Sequence, residues 1–228
     1  MSASGPIYDT GNPWTDGYNM AVLGKTQTGK TSTCRELHQT TPRVSVWLNE
    51  TGIDRVDDVP GHTVQSIGGL KTAFANNEYA IEWVSHDRQR DVLELQKFLF
   101  QVADNTDREL MMQVIVDEVQ DIAPQDATSE DMEAVKAVRR FCKRGVKRNI
   151  KFVAITQDPT AYDKQALRQS EYRLIFDMAN ENRKSSVLRK MGFDWGAVDA
   201  TPDRYTGVLH DDSGTVLDEG VKAEARFA

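Results

Sequence analysis

Short apolar runs alternate along the chain with stretches in which apolar residues recur every three or four positions. The short runs predict strands that are buried in a sheet, and the longer spacing predicts helices that cover the sheet. The predicted strands cover residues 19–23, 44–48, 62–67, 112–116, 152–156 and 172–176. The predicted helices cover residues 30–38, 92–102, 131–143 and 181–191.

Two further segments complete this pattern. In residues 79–84, large apolar or aromatic side chains alternate with a second set that includes Glu82, which predicts a strand that is buried mainly on one face. Residues 207–211 and 215–218 flank a short polar turn typical of a hairpin. The sequence therefore predicts an α/β fold with a mostly parallel central sheet, flanking helices and a C-terminal β-hairpin. Residues 19–228 would form this single domain, and residues 1–18, rich in Gly, Pro, Asp and Thr, an extended N-terminal arm.

The first predicted strand runs directly into a glycine-bracketed loop. Residues 24–31 fit the pattern G-x-x-x-x-G-K-[ST] at every fixed position, with a strand before them and a helix after them. The two glycines allow successive backbone N–H groups to surround an anion, and the helix adds the positive end of its dipole. The sequence thus predicts an ATP-binding P-loop (Walker A motif), with Lys30 on the β- and γ-phosphates, Thr31 on Mg²⁺ and Lys25 mainly facing solvent. The predicted nucleotide-binding residues are Gly24, Lys25, Thr26, Gln27, Thr28, Gly29, Lys30, Thr31 and Ser32.

The strand predicted at residues 112–116 ends in two acidic residues, Asp117 and Glu118. In an open parallel sheet, ligands bind at the carboxyl ends of the strands, so both carboxylates are expected beside the P-loop. Asp117 is predicted to hold Mg²⁺ through a coordinated water, and Glu118 to position and deprotonate the attacking water. Residues 117–121 also resemble the D-E-x-Q-D motif of superfamily one helicases, but those enzymes need two motor domains, for which 228 residues are too few.

A third polar group follows the strand predicted at residues 152–156. The side-chain amide of Gln157 can both donate and accept hydrogen bonds, so it can reach the γ-phosphate or the attacking water and sense which nucleotide is bound. On the local sequence alone, a turn cap is the simpler interpretation of this residue.

Taken in order, these stretches resemble the FtsK/HerA superfamily of DNA-pumping ATPases. The resemblance covers about residues 19–178. It rests on the P-loop, on the strand that ends in Asp117 and Glu118, and on a basic helix end at residues 143–148 that leads into a Thr-Gln strand end. The P-loop departs from the T-G-S-G-K-S form common in the superfamily. The small size of the chain is similar to that of the genome-packaging ATPases of tailless icosahedral viruses with internal membranes.

This resemblance implies properties that the residue pattern alone does not. It implies a RecA-like fold and assembly into a homo-oligomeric ring, either a hexamer or a pentamer. It implies double-stranded DNA as a partner, together with a capsid vertex or a membrane-associated portal protein. It also implies an arginine finger, which reaches the γ-phosphate of a neighbouring subunit from near the start of the strand that ends at Gln157.

Eight basic residues and no acidic residue lie within residues 136–151. A solvated helix face is the ordinary explanation of such a run, whereas an arginine finger and contacts to DNA phosphates are the functional ones. Arg144 and Arg148 are the first candidates for the finger and Arg173 is the next, and the sequence does not separate them.

Composition narrows the class of protein. The net charge of −7 argues against a protein that coats nucleic acid with its whole surface, although it leaves room for a local basic groove. Cys34 and Cys142 are too few and too far apart in sequence for a disulfide framework. No apolar run has the length of a transmembrane helix, and the N-terminus lacks the pattern of a signal peptide. We therefore expect a protein in the cytoplasm or, in an infected cell, associated with the virion.

The pattern and the resemblance together predict an ATP-driven translocase of double-stranded DNA that packages a viral genome into a preformed capsid. One alternative is a pump of the same superfamily for plasmid transfer or host DNA processing. An alternative of another class is a nucleotide-dependent switch or assembly factor that does not move DNA. Trp14 or Tyr8 could cover the adenine base of the nucleotide, but nothing in the sequence requires it.

Overall fold

The computed structural model of the protein describes residues 12–41, 43–52, 55–106 and 110–222. The strands are β1 (Met20–Leu23), β2 (Val44–Glu50), β3 (His62–Val64), β4 (Ala80–Ser85), β5 (Met112–Val116), β6 (Ile150–Thr156), β7 (Tyr172–Ile175), β8 (Gly207–His210) and β9 (Val216–Val221). The helices are α1 (Lys30–Thr40), α2 (Ile67–Ala75), α3 (Arg88–Asn105), α4 (Met132–Arg140), α5 (Lys164–Arg168), α6 (Asn180–Arg183), α7 (Ser186–Arg189) and α8 (Trp195–Asp199). No helix in these ranges is both long and apolar enough to cross a bilayer.

All of these strands belong to one sheet with the order β3-β4-β2-β5-β6-β1-β7-β8-β9. The strands from β3 to β7 in this order pair in parallel, whereas β8 and β9 are antiparallel to their neighbours and form a hairpin at the sheet margin. The predicted α/β class, with its mostly parallel sheet and C-terminal β-hairpin, is confirmed.

Three central strands bring the predicted site residues to one edge of the sheet. In the parallel register, Leu23 of β1 lies opposite Thr156 of β6, and Val116 of β5 lies opposite Ala154 of β6. The residues that follow β1, β5 and β6 therefore emerge side by side at the carboxyl ends of the strands. We call this edge the phosphate edge, and the opposite edge, where the same strands begin, the amino edge.

The central strands β1, β5 and β6 are buried on both faces, which explains their apolar runs. On one face, apolar side chains of α2, α3 and α4 pack against β2, β4 and β5. On the other face, Cys34 and Leu37 of α1 pack with Trp47 of β2 and Ile115 of β5. Because α1 begins at the phosphate edge and is fixed by this packing, the P-loop before it is held at both ends.

The predicted one-faced burial of residues 79–84 is wrong. Ala80 is half-buried, and every other residue of β4 is buried. The exposed residue of the predicted segment is Tyr79, which lies just before the strand and is 67% exposed. Glu82 lies in the interior because the Arg55 NH2 group donates to its Oε2 at 2.8 Å. The charged position in the alternating pattern of residues 79–84 is therefore a buried carboxylate with a partner, and it does not mark a face exposed to solvent. A buried charge is tolerated when it is paired.

Two helical regions also differ from the prediction. The strand predicted at residues 62–67 ends at Val64, because Ser66 caps α2 with its Oγ, which accepts from the Gly69 N–H at 3.2 Å. The helix predicted at residues 181–191 is divided into α6 and α7, and the Ser185 Oγ caps the second of them by accepting from the Leu188 N–H at 3.2 Å. In both places a serine that bonds to the backbone starts a new helix.

Residues 1–11 of the predicted arm lie outside the described residues, and residues 12–18 lie against the amino edge. Asp16 is fully buried and accepts a hydrogen bond from the Tyr172 hydroxyl at 2.6 Å. The buried Lys151 ammonium donates to the Pro13 carbonyl at 2.5 Å and lies 3.8 Å from the Asp16 carboxylate. Burial lowers the pKa of Lys151 to about 8, because desolvation outweighs the attraction of Asp16. This part of the predicted arm is thus anchored to the sheet by polar contacts.

We expect the free energy of unfolding to fall as the pH drops from about 6.5 to about 4, because His38 must stay neutral in the folded protein. Its Nε2 donates to the Pro60 carbonyl at 3.0 Å, so its Nδ1 accepts from the Ser45 hydroxyl at 2.7 Å. Burial lowers the pKa of His38 from 6.5 to about 4, so in this pH range the unfolded chain binds the additional proton.

The contribution of this one group has a slope of at most about 1.4 kcal/mol per pH unit. Urea denaturation over this pH range, compared between the wild type and His38→Gln, measures it. The exposed His62 supplies a matched control, His62→Gln, which should keep the wild-type slope. Equal slopes for wild type and His38→Gln would contradict the assignment.

Candidate active site

The P-loop curls because three of its residues adopt backbone conformations that glycine tolerates best. Gly29 has a φ of +94°, and Gln27 lies in the left-handed region with a φ of +58°, which is uncommon for a residue with a side chain. Gly24 is required by close approach, since a Cβ there would lie 2.7 Å from the Cβ of Phe176. The loop therefore has the strained, curled backbone that turns N–H groups toward an anion.

Lys30, the first residue of α1, lies across this loop. Its Nζ donates to the Lys25 carbonyl at 2.6 Å, and the side chain is almost fully buried. Burial lowers the pKa of Lys30, and the nearby carboxylates of Asp117 and Glu118 oppose that shift. A desolvated ammonium that has one carbonyl partner in the loop is well suited to bind phosphate oxygens.

Thr31 and Asp117 come from α1 and the end of β5, and the fold brings them into contact. The Thr31 hydroxyl donates to the Asp117 Oδ2 at 3.1 Å. Burial raises the pKa of Asp117, and the charge of Glu118 raises it further, so the site favours an added positive charge. The hydroxyl and the buried carboxylate are oxygen ligands of the kind that Mg²⁺ prefers, and these two residues therefore fit the predicted metal site.

Glu118 sits at the centre of a chain of side-chain hydrogen bonds. Its carboxylate accepts from the Gln120 amide at 2.6 Å and from the Gln157 amide, and the Gln157 carbonyl oxygen accepts in turn from the Thr26 hydroxyl. Glu118 itself has a φ of +45°, and its N–H donates to the Asp117 Oδ1 at 2.9 Å. Gln157 thus links the P-loop directly to the predicted general base, and it is not simply a turn cap.

The remaining P-loop side chains have roles within the loop or face solvent. The Thr28 hydroxyl donates to the Lys25 carbonyl at 2.8 Å, and the Lys25 ammonium binds the Asp177 carboxylate at 3.0 Å. Ser32 is exposed in the first turn of α1. The Lys25 side chain is therefore only partly exposed to solvent, because it forms an ion pair with Asp177, which follows β7.

Arg88, which the sequence analysis did not single out, lies beside the acidic pair. Its guanidinium donates to the Asp117 carbonyl oxygen, and its NH1 donates to the Glu50 Oε2 at 2.9 Å. The signal that could have revealed it is the polar run immediately after β4, because this strand also ends at the phosphate edge. A cavity of about 370 Å³ opens here, lined by Leu48, Asn49, Glu50, Val56, Arg88, Asp117, Glu118 and Asp121.

We expect Arg88→Ala to lower the rate of ATP turnover roughly ten- to a hundredfold while ATP binding changes little, because a lost hydrogen bond from a charged group costs roughly 1.5–3 kcal/mol. The guanidinium holds the carbonyl oxygen of Asp117, directly before Glu118, whose backbone is in the left-handed region. Its loss should therefore disorder Glu118, the predicted general base, and leave the P-loop unchanged. Steady-state turnover and equilibrium binding of ATP separate the two effects. Arg90→Ala, an exposed arginine of the same helix, is the control, and an equal loss in both variants would contradict the assignment.

The predicted arginine fingers lie far from this site in their own chain. Arg144 is exposed in a π-helical turn, Phe141–Gly145, which precedes β6 at the amino edge. Arg148 follows it and is held by the Asp104 carboxylate, with Nε–Oδ1 and NH2–Oδ2 distances of 2.8 and 3.2 Å. Arg173 is only 3% exposed and donates to the Asp211 carbonyl at 3.2 Å, so it cannot extend to a neighbouring molecule. Among the three, Arg144 is the residue with the freedom that a finger needs.

The rest of the basic segment is divided between internal contacts and the surface. Lys151 is buried, Arg139 forms two hydrogen bonds to Asp163, and Lys136 binds Glu133. Within residues 136–151, the exposed basic side chains near the amino edge are Arg140, Lys143, Arg144 and Lys147. Only part of residues 136–151 therefore forms a positively charged surface.

No protein-family model matches the sequence, and no curated protein is similar to it in sequence. The genome-packaging NTPase B204 from Sulfolobus turreted icosahedral virus 2, in complex with ATP-gammaS, is a solved structure with a similar fold, at a TM-score of 0.62 and 12% identity. The alignment covers 93% of this chain and 100% of that one. The chain has the fold of a P-loop NTPase.

Two larger ATPases share this fold over part of their length. ATPases 2 and 3 of EccC from Thermomonospora curvata, in complex with a signal sequence peptide, align at a TM-score of 0.54 and 14% identity, over 90% of this chain and 38% of that chain. EssC from Geobacillus thermodenitrificans aligns at a TM-score of 0.51 and 9% identity, over 91% of this chain and 40% of that chain. At these identities the likeness is one of fold, and it confirms the fold that the resemblance to packaging ATPases implied.

Proposed function

We propose that this chain is an ATPase that uses the hydrolysis of Mg-ATP to move double-stranded DNA, and in its most specific form packages a viral genome into a capsid. The observation that carries the proposed hydrolysis is the hydrogen-bonded chain from Thr26 through Gln157 to Glu118. It connects the loop that would hold the phosphates to the carboxylate that would activate water, which a protein that only binds nucleotide does not need.

Each residue has a defined part in the proposed reaction. Lys30 exchanges its bond to the Lys25 carbonyl for phosphate oxygens, and Thr31 and Asp117 hold the metal. Mg²⁺ bound there would neutralise charge on the β- and γ-phosphates. Glu118 accepts the proton of the attacking water, and Gln157 keeps or loses its bond to Thr26 according to whether a γ-phosphate is present.

The proposed movement of DNA depends on a ring of several copies, a hexamer or a pentamer. The phosphate edge and Arg144 lie at opposite ends of β6, so within one chain this arginine cannot reach its own P-loop. A head-to-tail ring would place it at the nucleotide of the next subunit. The exposed basic residues nearby would be available to DNA phosphates, and a capsid vertex or a membrane-associated portal protein is the proposed docking partner. We infer that the protein acts in the cytoplasm or associated with the virion.

The likeness to B204, described as a genome-packaging NTPase, supports packaging over the other candidates. The match spans the whole of that chain, whereas only about two fifths of the EccC and EssC chains are covered. A pump for plasmid transfer or host DNA processing uses the same site chemistry and remains the alternative within this class of protein.

A triplex-displacement assay tests the proposed movement. A linear duplex carries a fluorescent third strand, and a protein that moves along the duplex displaces this strand only while it hydrolyses ATP. We expect displacement by the wild type with Mg-ATP and none by Glu118→Gln. Hydrolysis of ATP without displacement would instead support the nucleotide-dependent switch.

A further inference from the structure

Tyr205 is an exposed aromatic residue beside the P-loop. Its side chain is 49% exposed, and it lies in the loop that leads into β8. A Cβ built on Gly29 would lie 3.3 Å from the Tyr205 carbonyl oxygen and 3.7 Å from its Cα. The backbone of this loop therefore packs closely against Gly29, the residue directly before α1.

The backbone around Tyr205 is fixed although its ring is exposed. The Asp203 carboxylate accepts from the Tyr205 N–H at 2.8 Å, from the Thr206 hydroxyl at 3.0 Å and from the Lys222 ammonium at 2.6 Å. The Arg204 guanidinium lies over the Tyr205 ring, 4.8 Å from its centroid, and donates to its hydroxyl at 2.6 Å. An exposed ring on a fixed backbone costs little entropy when a ligand covers it.

The order of the strands gives the direction in which a bound nucleotide would point. The residues that would receive the γ-phosphate, Asp117 and Glu118, follow β5, on one side of β1 in the sheet. Tyr205 precedes β8, on the other side of β1. A triphosphate that lies in the P-loop with its γ end toward Glu118 directs its nucleoside end toward β7 and β8. The exposed ring stands on that side.

We propose that Tyr205 is the stacking platform for the base of the bound nucleotide, an inference that rests on the proposed binding of ATP in the P-loop. Arg204 covers one face of the ring and holds the ring in place, and the opposite π-face is the one offered to the base. Of the two aromatic residues considered from the sequence, the structure places only Trp14, and it lies away from the phosphate edge. Trp14 lies in the segment packed on the amino edge, at the far end of the sheet from the P-loop, and Tyr8 lies outside the described residues.

Two ligands separate contacts to the base from contacts to the phosphates. Equilibrium binding is measured for Mg-ATP and, by competition, for inorganic tripolyphosphate with Mg²⁺, which has no base. We expect Tyr205→Ala to weaken the binding of ATP about tenfold, the size of one lost stacking contact, and to leave the binding of tripolyphosphate unchanged. Tyr205→Phe should bind ATP like the wild type. Tyr79→Ala, which removes another exposed tyrosine, is the matched control and should have no effect.

Three outcomes would overturn the proposal. Unchanged ATP binding by Tyr205→Ala would mean that no base stacks there. An equal loss for ATP and tripolyphosphate would mean that Tyr205 only supports the shape of the P-loop. A wild-type protein that binds neither ligand would refute the proposed function itself, and that result is distinguishable because it does not depend on the variant.

Discussion

Glu118→Gln is expected to lower ATP turnover by roughly 10²–10⁴-fold, the usual contribution of general-base catalysis, while ATP stays bound. Glutamine has the shape of glutamate and can still accept the hydrogen bond from the Gln157 amide, so the chain of contacts to the P-loop should survive. What it loses is the ability to take a proton from water. Pre-steady-state hydrolysis and equilibrium ATP binding, measured on the same preparation, test both halves of this expectation.

Glu130→Gln supplies the control for this substitution. Glu130 is an exposed glutamate outside the site, so its variant should hydrolyse ATP like the wild type. Near-normal hydrolysis by Glu118→Gln would remove Glu118 from the role of base. In that case Asp117 and the residues around the cavity would have to be reconsidered.

Arg144→Ala is expected to reduce turnover by roughly 10³–10⁵-fold without loss of ATP binding, which is the effect of removing an arginine finger. The structure favours this arginine, because Arg148 is engaged by Asp104 and stacks on Phe100, and Arg173 is buried. Lys143→Ala, which removes the adjacent exposed cation, controls for a general loss of positive charge. If Arg144→Ala, Arg148→Ala and Arg173→Ala all hydrolyse ATP normally, a finger supplied by a neighbouring subunit is wrong for this protein.

A mixing experiment shows whether Arg144 acts on another subunit. Arg144→Ala retains an intact P-loop, and Lys30→Ala retains an intact Arg144, so each alone should be inactive. In a mixed ring, an intact P-loop next to an intact arginine should restore part of the activity. The double variant Lys30→Ala/Arg144→Ala, mixed with Arg144→Ala, should restore none. Activity that does not return in the first mixture would contradict action between subunits.

Much of the site could be predicted because its signals are local in sequence. The P-loop pattern depends on eight consecutive residues, and Asp117 and Glu118 directly follow an apolar strand. Their meeting at one edge follows from the parallel sheet, in which strands that are far apart in sequence end side by side. The link between Gln157 and the P-loop was harder to foresee, because it depends on the adjacency of β1 and β6.

Other features could not be read from local pattern. Arg88 and Tyr205 reach the site on segments that are distant in sequence, and neither belongs to a recognisable motif. The helix α2 was missed because Gly68 and Gly69 lower its helical propensity, which its packing against the core overcomes. Glu82 misled the assignment of β4, since a charge in a strand is ordinarily a sign of a solvent face, and its partner Arg55 could not be foreseen.

The exposed cations near the amino edge illustrate the same limit. The sequence shows eight basic residues in sixteen positions, but burial and ion pairs remove several of them from any contact with DNA. Which cations remain at the surface is decided by acidic residues elsewhere in the chain, such as Asp163 and Asp104. The run of basic residues in the sequence thus indicated a positively charged surface, and the tertiary fold determines how large that surface is.

Steady-state ATP hydrolysis by the purified protein, with and without double-stranded DNA, tests the central claim most directly. The account predicts Mg²⁺-dependent turnover that Lys30→Ala abolishes and that double-stranded DNA stimulates. Turnover that is robust but indifferent to DNA would contradict translocation and favour a nucleotide-dependent switch. The absence of any turnover, with DNA present, would contradict the assignment of Glu118 and its neighbours as a hydrolytic site.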